Sequence, residues 1–338
     1  MEADKVKLHF ILSKERSGST LLSAMLNKSP NVVSVIEETF SFYLYPKYGR
    51  VDFWTDQLVE EFYQDFILLN KQSLGDYYVS KEDTLSSLLS VKDRYYDYLT
   101  MCKYLHLHFL MQKKDASVIV DKQLEYLFFF SEMMELFPDS KIVVLTRDPR
   151  DNVEACVRRK LGKDLNVVYQ SALWNDYYQE VLKYGKSERV IDVKYEDLIR
   201  YPEKVLRVVS DHFGIEYNRD MLLYSNSFSD VKQGNIQNKY VDNMEGFQDG
   251  LTRGLDLGNI GKYKSAFTET EIRKIESVTR KNAAYFGYEF EDLGIALSLG
   301  DKLKIWKAKI QKKWLMKIYK VLPVWVKIGI KKFKRKVN

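Results

Sequence analysis

Four short runs rich in valine and isoleucine constrain the fold of this chain more than any other feature. They cover residues 7–12, 117–121, 141–146 and 189–194, and helical patterns separate them. The runs are continuously apolar instead of alternating with polar residues, which is typical of strands buried on both faces. Strands that alternate with helices form parallel sheets, because a parallel pair needs a crossover connection. The sequence therefore predicts an α/β domain with a central parallel sheet flanked by helices.

Helix boundaries and aromatic stripes refine this prediction. Pro202 opens an apolar-periodic segment that Gly214 ends, and Thr268 with Glu271 forms a capping box at the start of a helix that stops at Gly287. Residues 41–115 are helical in pattern and rich in aromatic side chains. Such stripes usually pack in a core, although they could also wall a binding pocket. Residues 224–260 lack clear periodicity and predict a long functional loop.

Cysteine content and hydropathy limit the compartment and the chemistry. The two cysteines, Cys102 and Cys156, form no disulfide framework and have no metal-ligand spacing. No stretch of 18 uncharged apolar residues occurs, and the first residues do not resemble a secretion signal. We therefore expect a cytoplasmic protein without a metal.

The charge of the chain is concentrated at its C-terminus. Residues 301–338 contain 14 lysines and arginines and one acidic residue, so the rest of the chain is net negative. In this tail the lysines alternate with Trp, Ile and Leu at helical spacing. That pattern predicts a basic amphipathic helix on an anionic membrane surface, because the aliphatic face favours lipid over nucleic acid. The alternative is a terminal helix docked on the core. We expect a main domain over residues 1–295 and a tail over residues 296–338.

The segment KERSGST, residues 14–20, follows the first predicted strand and precedes a helix. A strand, a glycine-containing loop and a helix start surround one point with backbone N–H groups, which suits a phosphate or sulfate. The segment lacks the Walker pattern, because Arg16 precedes Gly18 where a Walker lysine would follow. ATP with magnesium is therefore disfavoured. Taken alone, the segment could also be a serine-rich helix cap.

A second anion-binding pattern follows the third run. Arg147 ends that strand and begins the sequence RDPRDNV, so its guanidinium can fork onto a phosphate next to a helix N-terminus. The alternative is an ordinary strand end with surface ion pairs. Three further patterns follow in order: KYEDL from Lys194, GNIGKYK from Gly258, and a helix that ends in Phe286-Gly287-Tyr288.

In this order, the patterns resemble the sulfotransferases that use 3′-phosphoadenosine 5′-phosphosulfate (PAPS), over about residues 7 to 290. The resemblance implies a fold like that of P-loop NTPases, PAPS as co-substrate, adenosine 3′,5′-bisphosphate as product, and no metal. It assigns the 5′-phosphosulfate to Arg16, Ser17, Gly18, Ser19 and Thr20 and the remaining nucleotide to Arg147, Arg159, Tyr195, Gly261, Lys262 and Lys264. Tyr195 would contact the adenine. The chain departs from the family at Ala155, where a serine usually contacts the 3′-phosphate; Arg158, Arg159 and Lys160 could compensate.

The same resemblance implies the catalytic groups. In the tyrosylprotein-type members a glutamate of an EET triplet is the general base, and here Glu38 occupies that place with Glu37 in reserve. Lys122, at the end of the second run, corresponds to the catalytic lysine, and Arg16 completes the set. The alternatives are solvated turn acids and a strand-end lysine. The family arginine after the triplet is Phe40 here, which weakens the case for a protein tyrosine as acceptor.

Histidine is disfavoured as the base. His106 and His108 lie inside a helical stretch, whereas the histidine base of the cytosolic sulfotransferases follows a strand. The sequence thus favours a PAPS-dependent sulfotransferase that acts on the hydroxyl of a lipid, a sterol, a glycan or another small molecule. Two alternatives stay open: an inactive nucleotide-binding scaffold at a membrane, and a small-molecule kinase on a related fold.

Overall fold

The structure is a computed structural model, and it describes residues 3–36, 40–70, 81–93, 97–107, 116–161, 164–226, 255–290, 294–323 and 325–327. The Glu37–Glu38 pair, His108 and most of the predicted loop 224–260 lie outside the described residues.

A five-stranded parallel sheet forms the centre of the fold. Its strands are β1 (Lys7–Ser13), β2 (Val32–Ile36), β3 (Val118–Gln123), β4 (Ile142–Thr146) and β5 (Val190–Lys194), in the order β2-β3-β1-β4-β5. All four neighbouring pairs run parallel. The predicted α/β class is confirmed, and the four predicted strands appear within one or two residues of their expected ends. The strand β2 was not among them.

Fifteen α-helices in the described residues connect or extend these strands. They are α1 (Ser19–Leu26), α2 (Phe40–Tyr43), α3 (Tyr45–Tyr48), α4 (Asp56–Asn70), α5 (Lys81–Val91), α6 (Tyr98–Leu105), α7 (Phe130–Leu136), α8 (Pro149–Arg158), α9 (Val167–Tyr184), α10 (Tyr195–Arg200), α11 (Pro202–Phe213), α12 (Tyr263–Ala266), α13 (Glu269–Tyr285), α14 (Leu299–Lys309) and α15 (Leu315–Val321). The predicted caps are present: Gly214 adopts a left-handed φ of 66°, and both hydrogen bonds of the Thr268–Glu271 capping box form.

Both faces of the sheet are buried, as the continuous apolar runs predict. Leu8, Phe10 and Leu12 of β1 join a core with the aromatic residues of the chain, whereas Ile11 joins a second core on the opposite face. Helices α1, α10 and α11 cover the second face. Because each strand is covered on both sides, the polar atoms at its carboxyl end are the part left available for a ligand.

An aromatic layer covers the first face. Its rings pack against one another at centroid distances of 4.8–6.0 Å, and it consists of Phe40, Phe42, Tyr48, Trp54, Phe62, Phe66, Tyr98 and Tyr126. Each of these side chains is buried. In the described part of the chain, the aromatic stripes of residues 41–115 therefore pack mainly as core, with Phe53 as an exposed exception.

Helices α14 and α15 return along the domain surface. Helix α14 packs against α9 through Ala308, and Tyr319 of α15 contacts the ring of Tyr43 edge-on at 5.2 Å. Lys327 donates a hydrogen bond to the carbonyl of Tyr43 at 3.4 Å. Tyr319 and Lys327, in the last described part of the chain, thus contact α2. Within the described ranges, no helix is both long enough and apolar enough to span a bilayer.

Candidate anion-binding active site

Three of the predicted anion-binding segments meet at the carboxyl edge of the sheet. The strand order reverses between β1 and β4, since β1 is followed by strands on one side and β4 and β5 lie on the other. Ligands of open α/β sheets bind in the crevice at such a switch point. The loop after β1 begins at Lys14, Arg147 follows β4, and Tyr195 follows β5. The topology thus brings together residues that are far apart in the chain.

The loop of residues 14–18, which we call the anion loop, has an unusual backbone. Gly18 has a φ of 92° and Arg16 a φ of 66°, so both residues are in the left-handed region. A side chain at position 18 would also collide with Tyr195, because a Cβ there would lie 2.4 Å from the tyrosine ring. Position 18 therefore requires glycine for two reasons, conformation and contact. The strained arginine at position 16 is typical of a functional site.

Buried hydrogen bonds hold the anion loop against helices α8 and α9. The Nδ2 of Asn152 donates to the carbonyl of Glu15 at 2.8 Å and to Oγ of Ser17 at 3.2 Å. The backbone N–H of Lys14 donates to the hydroxyl of Tyr178, which in turn donates to the carbonyl of Leu145 at 3.0 Å. The loop is thus fixed by protein groups before any ligand arrives, which is the preorganisation that anion binding needs.

Lysine 14 lies below the loop and points away from solvent. Its ammonium group is fully buried and lies 3.3 Å from Oε1 of Glu15 and 3.1 Å from Sγ of Cys156. Cys156 belongs to α8, so this contact links the anion loop to the helix that follows Arg147. A buried cation with these partners supports the loop and is too enclosed to contact a ligand.

Three arginines gather around the loop. Burial, and then the charges of Arg159 and Arg147, lower the pKa of the Arg16 guanidinium. Arg147 is also buried, donates to the carbonyl of Arg16 at 3.1 Å, and has an Nε atom that finds no partner among the described residues. Like charges held together in a buried position destabilise one another unless an anion lies between them. The arrangement is therefore one that an anionic ligand completes.

Tyrosine 195 forms one wall of the crevice. The guanidinium of Arg147 lies over its ring at 4.6 Å, and the ring packs against Gly18. Only 8% of the side chain is exposed. An aromatic wall next to two phosphate-type sites is a suitable contact surface for the base of a nucleotide.

The segment of residues 258–264, which we call the glycine–lysine segment, reaches the same crevice. Its Asn259 accepts a hydrogen bond from Nη2 of Arg147 at 2.7 Å through the backbone carbonyl. Gly261 has a φ of 81°, and Nζ of Lys262 donates to the side chain of Asn259 at 2.6 Å. Lys264 is exposed. The predicted lysines thus lie on a segment that Arg147 anchors.

Helix α8 explains the departure at position 155 only in part. Ala155 is fully buried, so no hydroxyl group reaches the crevice from this position. Arg158 pairs with Glu154 at 2.8 Å on the same helix. After burial, the charge of Arg159 lowers the pKa of Arg16 most, and that of Arg158 lowers it less. Both arginines are thus close enough to the anion loop to act on its charge.

Lysine 122 lies at the other side of the crevice. It is buried on β3, where it is paired in register with Ile11 of β1 and Ile36 of β2. Ile36 immediately precedes the Glu37–Glu38 pair, which is outside the described residues. Because Lys122 is buried, it is not the solvated strand-end lysine that the sequence left open. Phe40, just beyond the acids, packs in the aromatic layer.

His9 and His106 occupy structural positions. Burial lowers the pKa of His106 to about 3 and the pKa of His9 to about 4. His9 bonds to backbone groups of Phe213 and Lys141, and His106 contacts the ring of Phe40 at 4.8 Å. Neither is at the carboxyl edge of a strand. The described residues also contain no cluster of side chains that could hold a metal ion.

Sequence reasoning missed Asn152 and Asp151, which follow Arg147 in the first turn of α8. Asn152 holds the anion loop, and Asp151 accepts hydrogen bonds from the backbone N–H groups of Gly261 and Tyr263. Both were visible in the RDPRDN pattern. Their partners lie more than 100 residues away, so no local pattern indicates what they bind.

Comparisons with known proteins agree with this geometry. The sulfotransferase family profile matches residues 9–219. A protein-tyrosine sulfotransferase 2 of Gallus gallus is 33% identical over 99 residues, which are 27% of this chain and 26% of the relative. The chain thus matches about a quarter of the length of that relative.

Two solved structures resemble the fold over nearly their whole length. The sulfotransferase domain from the Curacin biosynthetic pathway has a TM-score of 0.57 at 19% identity, and it covers 85% of this chain and 99% of the domain. The sulfotransferase domain of the Synechococcus PCC 7002 olefin synthase has a TM-score of 0.55 at 20% identity, with 85% and 97% covered. At these identities the likeness concerns the fold.

Proposed function

Because the chain belongs to the sulfotransferase family, we propose that it transfers the sulfuryl group of PAPS to the hydroxyl of a lipid, sterol or glycan acceptor. The cluster of Arg16, Arg147 and Arg159 carries this proposal. Burial, and then the charges of Arg159 and Arg147, lower the pKa of Arg16, and Arg147 keeps a buried Nε without a partner in the described residues. A nucleotide with phosphate groups at both the 5′ and the 3′ positions offers anions to both ends of such a cluster.

The residues present fit PAPS. Arg16 and the N–H groups of Ser17, Gly18, Ser19 and Thr20 would bind the 5′-phosphosulfate at the start of helix α1. Arg147, Arg159 and the glycine–lysine segment with Gly261, Lys262 and Lys264 would bind the 3′-phosphate, and Tyr195 would stack on the adenine. Ala155 supplies no hydroxyl, so the 3′-phosphate depends more on the cations.

The proposed transfer is an in-line displacement at sulfur. The acceptor oxygen forms a bond to sulfur while the bond from sulfur to the bridging phosphate oxygen breaks, which leaves adenosine 3′,5′-bisphosphate. We assign the acceptor proton to Glu38, with Glu37 in reserve, and the charge on the leaving oxygen to Lys122 and Arg16. Support for Lys122 comes from its register beside Ile36, one residue before the acids.

The proposed acceptor class is supported by Phe40 and by the C-terminal helices. Phe40 packs in the aromatic layer, so the position after the triplet supplies no cation for an acidic peptide. A relative that matches 27% of this chain is a protein-tyrosine sulfotransferase by its name, and a peptide acceptor is therefore the competing class. The exposed apolar side chains of helices α14 and α15 favour an acceptor of the lipid or sterol class, because they suit a membrane surface.

We also propose that residues 301–338 attach the enzyme to the cytoplasmic face of an anionic membrane. The described part of this tail, with Leu299 before it, exposes a large apolar surface: Leu299, Leu303, Trp306, Trp314, Leu315, Ile318, Val321 and Trp325 are each 48–79% exposed. Lysines at 302, 304, 307, 309 and 317 alternate with them. Exposed tryptophans and leucines among lysines match the chemistry of a lipid headgroup region.

The donor assignment is tested by calorimetric titration with adenosine 3′,5′-bisphosphate and, in parallel, with magnesium ATP. We expect tight binding of the bisphosphate and a loss of about 100-fold or more in Arg147→Ala, because charge-assisted hydrogen bonds contribute about 1.5–3 kcal/mol each. Arg207→Ala is the matched control, since Arg207 pairs with Glu203 on α11, outside the site. Binding of ATP alone would refute the assignment.

A further inference from the structure

Asp151 is a buried acid in a site that otherwise collects cations. It is the third residue of helix α8 and is 1% exposed. One carboxylate oxygen accepts from the N–H of Gly261 at 2.7 Å, and the other accepts from the N–H of Tyr263 at 3.1 Å. Both oxygens are thus bound to the glycine–lysine segment, 110 residues away in the chain.

Both oxygens of this carboxylate are already engaged by backbone N–H groups, and its charge has the wrong sign for an anionic ligand. Burial raises the pKa of Asp151, and Arg147 is among the groups that lower it. A second negative charge beside a bound phosphate weakens binding, because like charges repel more strongly in a buried site. A carboxylate is tolerated here because its two oxygens can each accept a hydrogen bond from a backbone N–H group, which a neutral amide can do with one oxygen only.

Arg147 and the first turn of α8 hold the glycine–lysine segment at two further points. Nη2 of Arg147 donates to the carbonyl of Asn259 at 2.7 Å, and the guanidinium of Arg150 lies over the ring of Tyr263 at 4.5 Å. Asp151 is the member of this set that binds the two N–H groups on either side of Lys262.

Gly261 explains why an external acceptor is needed. Its φ of 81° turns the backbone so that its N–H points to α8, and no side chain of the segment caps that group. Short helix α12 begins at Tyr263, so its first N–H groups also lack partners within the helix. A carboxylate that spans both N–H groups fixes the turn that carries Lys262.

We propose that Asp151 is a positioning residue that sets the preference of this site for nucleotides with a 3′-phosphate. The inference rests on the proposed function. Asp151 holds the turn of Gly261 and Tyr263, and this turn holds Lys262 where the 3′-phosphate binds. The anion loop is fixed separately through Asn152 and Tyr178, so the 5′ end of the nucleotide does not depend on Asp151.

The test compares two probes, adenosine 3′,5′-bisphosphate and adenosine 5′-monophosphate, which differ in the 3′-phosphate alone. In Asp151→Asn, one of the two N–H groups faces an amide NH₂ in place of an oxygen. We expect the affinity for the bisphosphate to fall about 10- to 100-fold and the affinity for the monophosphate to stay within about threefold. The readout is the dissociation constant for the monophosphate divided by the dissociation constant for the bisphosphate, which should fall in the variant.

Two further variants keep the result interpretable. Asp176→Asn replaces another buried aspartate, on helix α9, that is 2% exposed, and it should leave the ratio unchanged. If Asp151→Asn does not fold, as judged by thermal unfolding, Asp151→Glu is measured instead, because its longer side chain keeps the charge and displaces the carboxylate from the two N–H groups. A lower ratio in either folded variant supports the proposal.

Failure of the inference differs from failure of the proposed function. A wild-type protein that binds both probes equally, or neither, refutes the donor site itself. A wild type that prefers the bisphosphate, together with folded Asp151 variants of unchanged ratio, refutes the role of Asp151 alone. An equal loss for both probes also refutes it, since a general structural defect would weaken the two nucleotides alike.

Discussion

Two parts of the molecule, the donor side of the crevice and the aromatic layer, are held together by different interactions. The donor side consists of the anion loop, Arg147 with the first turn of α8, Tyr195 and the glycine–lysine segment, and directional hydrogen bonds between polar groups hold it together. In the aromatic layer, buried rings pack at 4.8–6.0 Å. A hydrogen-bonded site specifies its ligand by position and charge, whereas a closed layer of rings contributes stability. The donor can therefore be argued residue by residue, and the aromatic layer identifies no acceptor.

Two buried histidines differ in how their ring nitrogens are satisfied. His9, the third residue of β1, uses both: Nε2 donates to the carbonyl of Phe213 at 3.1 Å and Nδ1 accepts from the N–H of Lys141 at 3.0 Å. His106 is fully buried against Phe40 of the aromatic layer, and neither ring nitrogen has a hydrogen-bond partner in the described part of the chain.

The largest effect is expected in the aromatic layer. Phe62→Ala should lower the free energy of unfolding by about 3–5 kcal/mol, because its ring is fully buried against Tyr48, Trp54 and Tyr98 and the cavity left behind cannot close. Urea unfolding measures the loss. The folded fraction should bind adenosine 3′,5′-bisphosphate as the wild type does.

Phe53→Ala is the matched control, since that ring is 64% exposed and only nine residues away. It should change stability by less than about 0.5 kcal/mol. If Phe62→Ala weakened nucleotide binding in the folded protein, the two parts would be coupled and the comparison would fail.

Lys122 lies on β3, between β2 and β1. We expect Lys122→Met to lower the turnover of PAPS about 10²- to 10³-fold while the affinity for the bisphosphate changes little, because its charge acts on the leaving oxygen in the transition state. Glu38→Gln should act in the same way. Product formation from labelled PAPS, with the best acceptor of a lipid, sterol and glycan screen, measures turnover.

Lys141→Met is the control for this pair, because Lys141 precedes β4 at the opposite end of the sheet. Unchanged turnover in Lys122→Met would remove Lys122 from the catalytic set. Unchanged turnover in Glu38→Gln would instead favour the reserve acid Glu37, whereas absence of turnover in a wild type that binds the bisphosphate would favour a nucleotide-binding scaffold.

What the sequence could predict follows the same division. The strands, the helix caps and the anion-binding arginines were visible because each depends on local periodicity, on capping residues or on a short motif. The strand β2 was missed as an element, although its run was recognised as β-like. The clamp of Asp151 on Gly261 and the register of Lys122 with Ile36 depend on contacts between distant segments. No local pattern encodes such contacts.

The buried histidines predict a smaller effect that depends on pH. Burial lowers the pKa of His106 to about 3 in the folded protein, against about 6.5 when the ring is exposed. The unfolded chain therefore takes up the proton first, so stability is complete above about pH 6.5 and falls as the pH decreases toward 4. The slope is about 1.4 kcal/mol per pH unit for this one group.

His106→Leu should remove that share of the slope and leave stability at pH 7.5 equal or higher, because it replaces two unbonded polar atoms by apolar ones. His9→Leu should destabilise the protein at pH 7.5 by about 1–3 kcal/mol, since it leaves the N–H of Lys141 and the carbonyl of Phe213 unpaired. Unfolding in urea at pH 5.0, 6.0 and 7.5 separates the two variants. Identical slopes for the wild type and His106→Leu would contradict the assignment of that pH dependence to His106.

The smallest effect concerns the apolar surface of the C-terminal helices. Trp306 of α14 is 63% exposed and Phe53 of the main domain is 64% exposed, so the two residues are matched in exposure and differ in location. If the tail binds lipid, Trp306→Ser should reduce flotation with vesicles of phosphatidylserine and phosphatidylcholine by about 1 kcal/mol, roughly fivefold, because part of the ring leaves water at the interface. Phe53→Ser should have no effect. Equal flotation of the wild type and Trp306→Ser would show that Trp306 does not carry membrane binding. Equal flotation of the full chain and a form ending at residue 300 would show that the tail does not bind the membrane, and the acceptor would then reach the enzyme from solution.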